Sequence, residues 1–424
     1  MDQHAAWRRG AFAAAIAVSF VTPAALAAPG DALDAPFLVP VTPYLDLNPA
    51  VARNLTTGNF VVAWQSFTGT KGYNVVHARQ FRADGTPMGG DIAVNLAQQG
   101  YSGNPAVAMD DNGDFVVAWT KGADVWARRY SAAVGGLPLL IGGGSDGVGA
   151  PSVAMDGDGD FVVGWLEASG LHPKVGTVIS CYYAQAPCIH IDADSASIRT
   201  RRYNANGLPL GAEAVVDSSQ SVSLTSASNG HVSSFTLTEP VNLGQTARVA
   251  MAADGSYVVA WSRQPIGASG YQTVTRHYSR YNIATEQPQL VRQGDGGALN
   301  PAIAMAPSGS YVLAYDTGYG GGIYVQPYTA AGAKLGPTLR ADDGSFAYPR
   351  APVLTMDKAG DFVVSWDQSW DYTLASYQLP ARYYGVGGVA HAIIQLAPAG
   401  TKPGTPALAS DGAGNFVAAW FDIA

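Results

Sequence analysis

Charge is scarce in this chain, and glutamate and lysine are the scarcest charges. Only 13% of its 424 residues are Asp, Glu, Lys or Arg. Four of the 32 acids are glutamate (Glu167, Glu213, Glu239, Glu286), and six of the 24 bases are lysine. Surface helices draw on those residue types, so a helical bundle or a βαβ enzyme fold is disfavoured. Catalytic signatures are also missing. There is no His-Glu-x-x-His helix and no phosphate loop. Gly143-Gly-Ser-Asp-Gly147 has the spacing of a nucleophile elbow, and the overlapping Gly142 to Gly147 that of a dinucleotide turn. Both lie in a Gly-rich link between strand segments, without the following helix those motifs need. What is abundant is turn chemistry and core: 50 Gly, 26 Pro and 28 Asp, with 47% apolar residues and nine Trp. That combination reads as a large all-β protein with many turns.

Residues 1–27 read as a signal peptide. Arg8 and Arg9 supply the basic region, Ala11 to about Val21 the apolar run, and Ala25-Leu26-Ala27 the small residues for cleavage. Arg8-Arg9 also permits a twin-arginine signal, but its surroundings fit the general export route better. The run is short for a membrane span, and no later segment is long and apolar enough to make one. The expectation is an exported protein, secreted or periplasmic, with no membrane span after processing. Loss of Arg8, Arg9 and Asp2 moves the formal charge from −8 to −9. A mildly acidic surface with scattered arginine disfavours nucleic acid as a partner. Cys181 and Cys188, seven apart, are expected to form one local disulfide in an oxidising compartment.

The chain repeats itself. Asn104-Pro-Ala-Val-Ala-Met-Asp-Asp-Asn-Gly-Asp-Phe-Val-Val-Ala-Trp119 returns as Ala150-Pro-Ser-Val-Ala-Met-Asp-Gly-Asp-Gly-Asp-Phe-Val-Val-Gly-Trp165. The same pattern ends at Trp64, Trp261, Tyr315, Trp366 and Trp420. The turn glycines Gly58, Gly113, Gly159, Gly255, Gly309, Gly360 and Gly414 are 55, 46, 96, 54, 51 and 54 residues apart. A fixed period of this size marks a repeat architecture. Each copy holds four strand-like pieces, a to d. Strand a has small residues and leads through a tight turn to strand b. In strand b Phe115, Val117 and Trp119 point one way, Val116 and Ala118 the other, so both faces should be buried. Strand c carries a recurring arginine two residues before an aromatic: Arg79, Arg128, Arg201, Arg276 and Arg382. A Gly-rich turn leads on to strand d. Four antiparallel strands of this length fit a propeller blade.

The predicted fold is therefore one seven-bladed β-propeller of four-stranded blades over residues 28–424. The last copy stops at strand b, and Phe37-Leu-Val-Pro-Val-Thr42 resembles the d strand at Asp91–Asn95. The N-terminus is thus expected to complete the last blade, giving a three-stranded closing blade with no donor for strand c.

The Asp-x-x-Gly-[Asp/Asn/Ser]-[Phe/Tyr]-Val-Val-Ala-Trp unit resembles repeats of many exported bacterial proteins predicted to be β-propellers. The resemblance covers nearly all of the mature chain and implies architecture rather than an activity. The turn is also similar, in part, to the Asp-box of sialidase-like propellers and to calcium-binding FG-GAP repeats.

Repeated residues serve the repeated interface. The strand-c arginines are expected to pack over a neighbouring aromatic or pair with a turn Asp, and the Trp set to pack blades together. The turn acids are expected to satisfy backbone groups, since Asp is a default turn residue. Asp156, Asp158 and Asp160 alternate as calcium ligands often do, which makes them the candidate metal site; otherwise no cofactor is implied. The third copy departs from the pattern. Its b–c link spans about 166–199 and its d–a link about 217–245, and both should rise from one rim of one blade. Variable loops on one face of a rigid scaffold are where binding sits. The candidate ligand-binding residues are Glu167, Tyr182, Tyr183, His190, Asp192 and Asp194, the last three facing one side if extended. The expected role is a binding scaffold for a glycan or for an extracellular or envelope protein. A polysaccharide hydrolase or lyase using acids on that face is the alternative, and a structural surface protein without a discrete site the third.

Overall fold

The fold follows from the repeat register. The structure, a computed structural model, describes residues 14–22, 31–32, 35–40, 45–67, 74–95, 101–131, 134–144, 147–169, 195–218, 220–228, 231–239, 247–264, 270–291, 297–318, 321–344, 348–368, 378–385 and 387–423. It is an all-β propeller with six blades of four antiparallel strand positions. Blade one is Leu45–Arg53, Phe60–Phe67, Asn74–Phe81 and Ile92–Ala93, paired in chain order. Blades two to six repeat that order, with strands b at Phe115–Lys121, Phe161–Ser169, Tyr257–Arg263, Tyr311–Asp316 and Phe362–Asp367. In blades two and three one position is filled by two short strands.

Strand b is buried on both faces, as its two apolar sides require. In blade two, Phe115, Val117 and Trp119 pack on Val61, Ala63 and Val76 of blade one. Val116 and Ala118 pack on Phe161, Val163 and Trp165 of blade three. The first aromatic of strand b stacks on the last aromatic of strand c in all six blades. The pairs are Phe60–Phe81, Phe115–Tyr130, Phe161–Tyr203, Tyr257–Tyr278, Tyr311–Tyr328 and Phe362–Tyr384, with centroids 4.6–5.0 Å apart. Such pairs add roughly 0.5–1.5 kcal/mol beyond their area burial.

The strand-c arginines tie one blade to the one before it. Each guanidinium lies 5.4–5.9 Å over the aromatic two residues on. Its Nη1 donates to a carbonyl at the outer strand of the preceding blade: Arg128 to Val94 (3.1 Å), Arg201 to Ile141 (3.2 Å), Arg276 to Val216 (3.0 Å) and Arg382 to Ala341 (3.0 Å). Arg79 makes the same bond to Val39, at 2.9 Å. Blade five has Gln326 at the arginine position, and Lys334 Nζ donates to the corresponding carbonyl of Val291 instead, at 2.9 Å.

The turns account for much of the aspartate. Asp110 Oδ1 accepts the N–H groups of Asn112 and Asp114, Asp357 Oδ1 those of Ala359, Gly360 and Asp361, and Asp411 Oδ1 those of Ala413 and Asn415. The turn glycines of all seven copies have φ between 73° and 95°, a region that costs a residue with a Cβ roughly 1–2 kcal/mol.

The last copy contributes Ala407–Ser410 and Phe416–Ile423. Leu408, Phe416, Ala418 and Trp420 pack on blade six. Val417 and Ala419 pack on blade one, in a cluster that also holds Val39. The expectation that nothing fills strand c here needs correction. Ala14–Thr22, inside the segment read as a leader, pairs antiparallel with Phe416–Ile423, and Phe37–Leu38 pair with Ala17 and Val18 in turn. A short apolar run has the same sequence signature in a leader and in a strand, which is why the two readings coincide on one segment.

Candidate functional site

Strand a of all seven copies lines one cavity of about 480 Å³ at the centre of the propeller. The third position of the strand faces it in every copy: Ala50, Ala106, Ser152, Arg248, Ala302, Val353 and Ala407. Six of the seven are small or apolar, and Arg248 is the exception. The cavity lies at the beginning of the strands, the end where the d–a and b–c links emerge.

Four of the strands enter this cavity through a bulge. Pairing with strand b shifts register at Leu47/Ala50, Gly103/Ala106, Leu299/Ala302 and Arg350/Val353. Each shift contains a proline (Pro49, Pro105, Pro301, Pro352), which has no N–H for the ladder and belongs in a bulge. The residue before it has positive φ: Asn48 at 52°, Asn104 at 50°, Asn300 at 48° and Ala351 at 47°. Asparagine tolerates that region better than most residues with a Cβ. The Asn-Pro pairs are thus a signal that sequence reading passed over.

These asparagines put amides at the cavity mouth. Asn48 Nδ2 donates to Gln65 Oε1 at 3.3 Å and reaches Asn104 Oδ1 at 3.4 Å. Gln65 Nε2 donates to the Tyr101 hydroxyl, and the Asn104 N–H to Gln65 Oε1. Nearby acids are already engaged. Asp316 accepts from Asn300 Nδ2 (2.8 Å), the Ala351 N–H (3.0 Å) and the Gly318 N–H (3.1 Å). Asp367 accepts from Arg350. Asp46 is buried and accepts from the Ser66 hydroxyl. Burial pushes its carboxyl up to about 6 and repulsion from Asp91 adds to that, against hydrogen bonds from Ser66 and Trp64.

Of the residues singled out from sequence, Tyr182, Tyr183, His190, Asp192 and Asp194 lie outside the described residues, as do Cys181 and Cys188. Glu167 lies on the strand b extension Leu166–Ser169, which pairs with Ser195–Ile198 at the base of the b–c link. Arg199 bridges Glu167 (2.8 Å) and Glu213. Burial raises the Glu167 carboxyl, Arg199 opposes it and Glu213 adds to it. The d–a link holds a hairpin, Gln220–Ser228 paired with His231–Glu239.

The alternating acids of the third turn are divided among backbone and arginine. Asp156 Oδ1 accepts the N–H groups of Asp158 (3.2 Å) and Asp160 (2.9 Å). Asp160 accepts the Ala205 N–H and meets Arg202, whose side chain is buried. Burial raises Asp156 to about 6, with Asp160 adding to it and Arg202 opposing. Among the described residues no three His, Cys, Asp or Glu side chains group as a metal site.

One imidazole–carboxylate pair was not foreseen. His277 Nδ1 meets Glu286 on strand c and the c–d turn of blade four, and the ring stands edge-on to Tyr311 of blade five, with centroids 5.4 Å apart. Cavities of about 340 and 270 Å³ adjoin it, with Lys334 lining the smaller. This is the face opposite the long links. Position 277 varies between copies (Gln80, Arg129, Arg202, Pro327, Tyr383), so the repeat gave no reason to pick it out.

The class the fold defines is the all-β propeller. No protein-family model matches the chain, and no curated protein matches it in sequence. Among solved structures it is similar to a protein of unknown function from Dyadobacter fermentans (11% identity, 89% of this chain and 95% of that one, TM-score 0.43). It is also similar to the Hadza microbial sialidase Hz136 (10%, 96% and 89%, TM-score 0.44). A third is the α-L-arabinofuranosidase Arb93A from Fusarium graminearum (10%, 84% and 96%, TM-score 0.45).

Proposed function

We propose that the chain is an exported seven-bladed propeller that binds a glycan, or an extracellular or envelope protein, on the face where the long links of blade three emerge. The observation that carries this reading is the axial cavity: seven strands a line it, and it opens on the side of both links. Its wall of small apolar residues, amides and one arginine suits recognition of a polar ligand.

Ring closure is part of the proposal. It is supported by contacts that involve no residue of the leader. Arg53 Nη2 meets Asp411 Oδ2 at 3.1 Å, Gly412 N–H donates to Leu55 O at 2.8 Å, and Arg79 reaches Val39 as the other arginines reach theirs. In the processed protein Phe37 and Leu38 would lose their partner strand Ala14–Thr22, while Val39 would keep its bond to Arg79 and its packing against Val417 and Ala419, and Cys181 and Cys188 would pair in the long b–c link.

The test is a glycan array with the processed protein and a variant in which 170–194 is replaced by an Asn-Gly turn. The cut keeps the Ser169–Ser195 pair, so the strand extension survives. Loss of binding in the variant is the expected result. Binding unchanged by the deletion would remove the b–c link from the site.

A further inference from the structure

We propose that Arg248 makes the axial cavity an oxyanion site, taking a carboxylate, sulfate or phosphate group carried by the ligand. The position is set by the repeat and the residue is not. At the third place of strand a the other copies carry Ala50, Ala106, Ser152, Ala302, Val353 and Ala407. An arginine there serves no interface that the other six copies need. Its neighbours around the cavity, Ser152 and Ala302, are too small to cover it. Ser152 Oγ accepts the Val249 N–H at 3.1 Å.

Arg248 is half-buried and lines the cavity. Burial lowers its pKa, and among the described residues no carboxylate offsets that burial. A guanidinium stays charged at any physiological pH, so it cannot escape the burial cost by losing its proton. The strand-c arginines differ, each holding a carbonyl and an aromatic ring. The acids at the ends of strands b in blades five and six are engaged with other groups: Asp316 with three donors, Asp367 with Arg350. A planar five-donor fork in a half-open cavity of small residues is matched by a planar or tetrahedral oxyanion, through charge-assisted hydrogen bonds. The site does not depend on whether the rest of the ligand is a glycan.

The experiment titrates the full processed protein with inorganic phosphate, sulfate and glucuronate at constant ionic strength, by calorimetry. It compares the native chain with Arg248→Ala and Arg248→Lys. Alanine is what four other copies have at this place, so Arg248→Ala should keep the fold, checked by an unchanged unfolding midpoint without ligand. The expected result is saturable one-site binding of at least one of the three anions. Binding should be about tenfold weaker or worse in Arg248→Ala, the loss of a charge-assisted contact, and intermediate in Arg248→Lys. The tightest of the three identifies the oxyanion. Equal binding by native and Arg248→Ala protein, or no binding of any of the three, overturns the proposal.

Discussion

The interfaces between blades and the wall of the axial cavity are built from the same repeat and obey different rules. At the interfaces each position is answered by a neighbour: strand-b side chains by those of the adjoining blade, an arginine by a carbonyl one blade back. When blade five loses the arginine, a lysine from another position makes the bond. At the cavity wall the third residue of strand a borders the cavity, and Ser152 there also accepts the Val249 N–H of the next blade. The position is free to change, and in the fourth copy it changes to Arg248. Constraint by packing marks structure, and the one charged departure at the cavity wall is what the proposed anion site rests on.

The largest effect should come from breaking an interface. Trp261 is fully buried, and its indole N–H donates to Asp217 at 2.7 Å. Trp261→Ala should cost about 3–5 kcal/mol, read as a shift of the urea unfolding midpoint. Next is the arginine tie. Arg276→Ala removes the bonds to Val216 and Glu286 and the contact with Tyr278, and should cost roughly 1–3 kcal/mol. Equal stability of the native and Arg276→Ala proteins would show that the tie is ornamental.

A third test uses pH. With Asp46 raised by burial to about 6, the folded chain holds a proton there that the unfolded chain releases near 3.8. Stability from this group is therefore full below about pH 4 and falls as pH rises through about 6. Asp46→Asn keeps an acceptor for Ser66 and should flatten the melting temperature across that window. A slope unchanged by the substitution would place the titration elsewhere. The smallest change concerns Ala351, at φ 47° where three other copies have asparagine. Ala351→Asn should stabilise by roughly 0.5–1 kcal/mol, measured by the same unfolding curves.

What could be read from sequence follows the same division. Seven copies in register, strands b apolar on both faces and glycine at the tight turns were legible, because those features recur at fixed offsets. The strand-c arginines were legible as aromatic partners. Their reach to Val94 or Ile141 was not, since the acceptor belongs to another blade and is backbone. The Asn-Pro bulges were visible as letters, but their meaning depends on pairing with strand b. Arg248 stands where the other copies have Ala, Ser or Val. Its meaning is not legible in sequence, because only the folded ring shows that this position of strand a faces the cavity, and the candidates in the long links of the third copy, Glu167 excepted, fall outside the described segments. Ala14–Thr22 shows the limit of local reading, since its apolar run satisfies an export signal and a strand equally well.

The measurement that tests the account most directly sets Arg248→Ala beside Arg276→Ala, scoring each for unfolding midpoint and for binding of the tightest of the three anions. The account predicts that Arg276→Ala lowers the midpoint while the surviving folded protein still binds. Arg248→Ala should leave the midpoint within about 0.5 kcal/mol of native and lose the binding. Arg248→Ala destabilising as much as Arg276→Ala with binding retained would contradict it.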